Sequence, residues 1–251
     1  MNIPEFSTEF DTLYNNISSN QAPGIDEYEK SVFLTRAQEE IVKNYFNPRS
    51  NKLQQGFDDN EKRQIDFSEI TRVANITASN PTPGVYDSLD ARSQLFFFPT
   101  NVFLIVNERV ILTEGSATFG VTVIPINYKE YDRLMSKPYK EPLPRQCWRM
   151  IQGNSTSPVT GVPQQMVSEI ISKTGTVVST YKVRYVKRPQ PIILTDLTAS
   201  ALSINGITAE TECELNAIVH REILDRAVEL ALASYKNGDL GSIMEVNKRN
   251  E

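Results

Sequence analysis

Few side chains here combine the type and the spacing that chemistry needs. The single histidine, His220, sits in the run His220-Arg221-Glu222. Hydrolytic triads, HExxH sites and histidine-rich metal sites each need at least one well-placed histidine, and often more. A helical metal or acid–base site would add a ligand three or four residues on, where the chain has Ile223 and Leu224. The simpler reading is a charged helix face on which Glu222 pairs with Arg226 at i, i+4. Gly115-Ser116-Ala117-Thr118-Phe119-Gly120 has neither the lysine and spacing of a phosphate loop nor the pattern of a nucleophile elbow, so it predicts a turn between strands. Asp58-Asp59-Asn60-Glu61 lacks the alternation of a calcium loop and reads as solvated acidic loop. Cys147 and Cys213 lie far apart with no CxxC pair, which predicts two free thiols and neither a disulfide framework nor a zinc cage. No catalytic residue, metal ligand or cofactor is assigned. An enzyme built on carboxylates would need no histidine, but no motif favours one.

The remaining pattern with chemical content is Lys182-Val183-Arg184-Tyr185-Val186-Lys187-Arg188-Pro189, the one basic cluster of note. Cations alternating with aromatics along a strand can follow a nucleic-acid backbone while bases stack on the rings. The same pattern also suits the polar face of a half-buried strand, or a rim that docks an acidic partner.

The elements that position these residues follow from periodicity. Phe6, Phe10, Leu13, Tyr14 and Ile17 form one stripe at helical spacing. Asn20 to Gly24 breaks that helix. Asp26, Glu27 and Glu29 then open a second one, carried by Tyr28, Val32, Phe33, Ala37, Ile41, Val42 and Tyr45 and closed at Asn47-Pro48. Residues 49–68 are polar and predict a solvated loop or extended arm. From Leu95 the pattern is of strands: 95–98, 102–106, 109–113 and 119–126, with Asn107-Glu108 as a hairpin tip. A short helix is expected over 127–135, weaker strands over 148–151 and 167–171, and a clear strand over 176–186. A second long loop spans 153–167. Thr211-Glu212-Cys213-Glu214 fits a capping box, so Thr211 to Lys236 predicts one C-terminal helix roughly 39 Å long.

The chain has 251 residues, with 26 Lys and Arg against 31 Asp and Glu, a formal charge of −5. That acidic balance argues against broad grip on a polyanion, which draws its free energy from cations releasing counterions. Mean hydropathy is −0.35, no apolar run approaches a bilayer span, and the first residues carry no basic-then-apolar signal. These features predict a soluble chain made in a cytoplasm, with no membrane partner. The expected fold class is α+β: a helical core from 1–48 and 205–251, an extended arm over 49–94, and a central antiparallel β-rich part over 95–204.

Three stretches carry a family resemblance. They are Phe10 to Asn16 with Gln21 to Val42; Tyr185-Val186-Lys187-Arg188-Pro189-Gln190-Pro191-Ile192; and Cys213-Glu214-Leu215 with His220 to Ala231. Together they resemble the head-to-tail adaptor ring proteins of crAss-like bacteriophages. The resemblance implies a non-enzymatic virion protein that forms a ring, usually dodecameric, between portal and tail. It further implies contact with the portal protein and the next tail or ring proteins, an extended DNA channel, a part in genome ejection, and assembly in the host cytoplasm. Candidate subunit and partner contacts are Leu215, Val219, His220, Glu222 and Arg226 on the expected helix, with Lys182, Arg184 and Arg188 on the basic strand. The rival reading is a nucleic-acid-binding module using strand 182–188.

Overall fold

Phe6, Phe10 and Tyr14 are buried along one side of α1 (Ile3–Ile17), as their helical spacing requires. The computed structural model describes residues 1–17, 24–47, 57, 60–78, 88, 90–137, 140–152 and 166–235. It has two compact units, Met1–Ile70 with Pro189–Glu251, and Thr71–Arg188. The fold class is α+β.

In the first unit, α2 (Glu27–Phe46) starts at Asp26, whose side chain accepts from the Glu29 N–H while the Glu29 carboxylate takes the Asp26 N–H. Lys30, buried on α2, reaches Asp11 of α1 at 2.7 Å and Glu27 at 2.8 Å, tying the two helices. One face of α2 is apolar, with Leu34, Ala37, Ile41 and Val42 buried. Beside it runs a polar row, Ser31, Thr35 and Gln38, also buried. This row holds the backbone of the segment that follows the basic strand. Ser31 Oγ accepts from the Leu194 N–H at 3.0 Å, Thr35 Oγ1 from the Ile192 N–H at 3.1 Å, and Gln38 Nε2 donates to the Gln190 carbonyl at 3.0 Å. Backbone groups buried outside regular structure must find partners, and here a helix supplies them.

Two expectations in this unit are corrected. The last helix, α5 (His220–Tyr235), begins nine residues later than its capping-box pattern predicts, after a 3-10 turn over Ala217–Val219 capped by Asn216. The two box residues are spent elsewhere. Thr211 Oγ1 donates to the Pro191 carbonyl at 2.5 Å, and Glu214 accepts the Gln190 N–H at 3.0 Å. The second correction concerns the polar stretch 49–68, part of which is helical. α3 (Glu61–Asp66) is capped by Asn60, and Phe57 and Phe67 are buried in an aromatic cluster with Tyr45 and Phe46. These four aromatic rings seat Phe57 and Phe67 within a stretch whose average composition reads as solvated.

The second unit is one seven-stranded sheet: β1 (Thr71–Ile76), β2 (Ser93–Phe97), β3 (Val102–Glu114), β4 (Ala117–Pro125), β5 (Gln146–Gln152), β6 (Val167–Ile171) and β7 (Val177–Lys187). Their order is β1-β7-β3-β4-β5-β6-β2. Every described pairing is antiparallel except β4 with β5, which are parallel and joined through α4 (Tyr128–Met135). The sheet is curled. Phe96 on edge strand β2 lies 5.3 Å from Tyr181 on β7, and Gln94 of β2 accepts the Val178 N–H of β7 at 2.6 Å. Ile76, Val110, Leu112, Val121, Cys147 and Ile170 complete the enclosed core. On the other side of β5 and β6, α4 covers Trp148, Met150 and Ile171 with Tyr131.

The hairpin expected at Asn107-Glu108 does not form. β3 runs through it as a single strand, with a register shift between Ile105 and Asn107 against β7. Polar residues in mid-strand therefore mark a bulge and an inward ion pair. The turn falls at Gly115-Ser116, where Gly115 takes φ +60°, a conformation that side chains disfavour.

Candidate functional site

The eight positions singled out by sequence fall into distinct environments. Leu215 and Val219 are 2% and 1% exposed, with their side chains committed to the first unit's own interior. His220 is also buried. Its Nε2 donates to the Leu215 carbonyl at 2.9 Å, its Nδ1 accepts from the Met1 amine at 2.8 Å, and Phe6 lies against the ring at 5.3 Å. Burial holds its pKa below the ordinary imidazole value. Glu222 is exposed and accepts from the Tyr45 hydroxyl. Arg226 is half-buried and reaches Glu40 of α2 at 2.8 Å and Glu229 at 2.6 Å, so the expected Glu222–Arg226 pair is replaced by these two. Lys182, Arg184 and Arg188 are exposed.

Neither thiol is poised for chemistry. Burial pushes Cys147 up to about 12 and Cys213 up to about 11. Among the described residues no group of three or more potential ligands could hold a metal ion, and no helix is long and apolar enough to cross a membrane. A buried charge cluster that sequence reasoning missed lies inside the curled sheet. Glu108 of β3 receives the Tyr181 hydroxyl and pairs with Arg149 of β5 at 3.1 Å. Burial raises the Glu108 pKa, while Tyr181 and Arg149 pull it down. The hint in the sequence was an acidic residue, Glu108, between the apolar runs 102–106 and 110–112.

The basic strand resolves into two faces. Tyr181 and Tyr185 point into the core, 0% and 6% exposed, so neither ring can stack on a base. Lys182 and Arg184 point outward, and β3 adds Arg109 directly opposite Lys182. Sequence reading missed Arg109 because its place is set by long-range strand register. These three cations form the most distinctive exposed chemistry of the second unit.

Comparison with known proteins gives this arrangement its setting. The family model described as phage tail ring protein 3/4 matches residues 1–240. The chain is similar to Ring protein 4/5 of Bacteroides phage crAss001, with 47% identity over 253 residues and the whole of both chains covered. It is also similar to Ring protein 3 of the same phage, 33% identical over 234 residues, covering 92% of this chain and 94% of the relative. The stretches behind the resemblance meet in the first unit, where Ser31, Thr35 and Gln38 grip residues 190–194. A match of this extent, over both the helical and the sheet units, shows that the chain belongs to the phage tail ring protein 3/4 family.

Proposed function

We propose that this chain is a non-enzymatic subunit of a head-to-tail adaptor ring. Copies of it close a ring of about a dozen, which docks beneath the portal protein, extends the DNA channel toward the tail and receives the next ring or tail protein below. It would be assembled in the host cytoplasm and carried in the virion, and DNA would pass during ejection without recognition of its bases. The observation that carries this reading is likeness along the full length of both chains to a protein named as a ring protein. The state of the reactive groups supports it. The histidine is buried and bonded on both nitrogens, and both thiols are held protonated at neutral pH.

A closed ring uses heterologous contacts, one face of a subunit against a different face of the next. Such contacts need side chains that project from a finished subunit. Glu222 and Arg188 do, whereas Leu215, Val219 and His220 serve within the subunit. Negative-stain electron microscopy of the purified chain, alone and mixed with its portal, tests the proposal. Rings alone or on the portal are the expected result; a stable monomer that ignores the portal overturns it.

A further inference from the structure

The outer face of β1, β7, β3 and β4 carries a positively charged surface with no acidic member. Strand register puts Arg109 opposite Lys182 and Asn107 opposite Arg184, with Val73 and Asn75 of β1 on their far side. The same alternation places residues 71, 111, 113, 118, 120, 122 and 180 on this face, and none of them is Asp or Glu. No ion pair involves Arg109, Lys182 or Arg184 among the described residues. Like charges directly across a strand pair cost stability, so three uncompensated cations in a chain of net charge −5 stand against its overall balance.

Gly120 seats one of them. A Cβ at that position would lie 2.6 Å from both Nε and Nη2 of Arg109. The missing side chain leaves room for the Arg109 guanidinium over β4. A guanidinium fork in such a position suits phosphate oxygens.

We propose that this face binds the phosphate backbone of duplex DNA without reading its sequence. Cores of protein–protein interfaces are depleted in lysine and built on apolar anchors. Here Lys182, Arg184, Arg109, Asn75, Asn107 and Thr122 surround a single well-exposed apolar side chain, Val73, which favours a polyanion over a protein partner. The tyrosines of β7 lie in the core, so β7 offers no ring on which an unpaired base could stack, and this favours a duplex over a single strand. The proposal takes its setting from the ring reading above, in which a duplex passes by each subunit. A few phosphate contacts per subunit give a weak, salt-sensitive hold, compatible with sliding.

The test is fluorescence anisotropy of the full chain with a short labelled duplex of arbitrary sequence. Three phosphate contacts predict a slope of about −2.7 for log K against log salt, so raising salt fourfold should weaken binding about 40-fold. Arg184→Gln alone should flatten that slope by about 0.9. The triple change Arg109→Gln, Lys182→Gln and Arg184→Gln should abolish binding, and Gly120→Ala should weaken it by displacing the Arg109 fork. Melting temperature and ring formation by electron microscopy should stay as in the wild type. The proposal is overturned if the wild type fails to bind at low salt, or if the triple variant binds as well as the wild type. It is equally overturned if the triple variant loses ring formation, since the face would then dock an acidic protein surface. Rings without DNA binding would sink this proposal and leave the ring reading standing; DNA binding through these residues by a chain that never forms rings would do the reverse.

Discussion

Glu108 and Arg149 show how a charged pair is tolerated inside a sheet core. Their side chains are 9% and 11% exposed, and Tyr181 donates a further hydrogen bond to the carboxylate. Removing one partner strands the other, which costs about 3–5 kcal/mol in buried pairs, whereas replacing both by apolar side chains is often neutral. Arg149→Leu should therefore lower stability by about that amount, and the double change with Glu108→Leu should recover most of it. Urea denaturation of the two variants checks this; a double variant as unstable as the single one would show that shape, not charge, is at stake. His220 gives the pH-dependent counterpart. Burial lowers its folded-state pKa, against which its bond to the Leu215 carbonyl works, so the unfolded chain binds the proton more readily. Stability from this group is complete above its unfolded value of about 6.5 and is lost as pH falls from there toward the folded value. Melting temperatures between pH 8 and pH 5 should fall more steeply for the wild type than for His220→Gln.

At the scale of elements, the polar row on α2 is the feature with most at stake. Thr35 both accepts the Ile192 N–H and faces the Ile192 carbonyl, in a position where water does not reach. Thr35→Val keeps the shape and leaves that N–H without a partner, at a cost of about 1–3 kcal/mol. Ser31→Ala should do the same at Leu194, and Asp26→Ala should cost about 1 kcal/mol by uncapping α2. Thermal unfolding of the three variants checks the ranking. The helices were legible in the sequence because their signals are local: the Phe6-Phe10-Tyr14 stripe and the Asp26–Glu29 box each sit within two turns. The start of α5 was not. Thr211 and Glu214 have cap spacing, but residues 190–191, far off in sequence, bond to both. The same holds for the candidate site. Alternation along β7 announced outward Lys182 and Arg184, whereas Arg109 and its seat at Gly120 depend on pairing between strands that no local pattern encodes. Nor could composition separate a solvated arm from one pinned by Phe57 and Phe67.

On the scale of the whole molecule, the second unit is a single stretch of chain entered and left through neighbouring strands. β1 begins and β7 ends side by side, with Thr71 paired to Val186, so the ends of the unit are separated by one strand spacing. Segments whose ends lie this close can be excised or inserted with little cost in loop closure. The enclosed core around Tyr181, Phe96 and Phe98 draws only on residues of that stretch, and the α2 row draws only on residues of the other unit. Residues 71–188 should therefore fold alone, with one cooperative transition and a strand-rich circular dichroism spectrum. Replacing 72–187 by a short Gly-Ser linker should leave a helical protein that keeps its own transition. The hydrogen bonds from α2 to residues 190–194 are what hold the rejoined chain in place, so adding Thr35→Val to the excised form should lower its melting temperature as it does in the full chain. An isolated stretch 71–188 that fails to unfold cooperatively, or an excised form without helix, would show that each unit needs the other to fold.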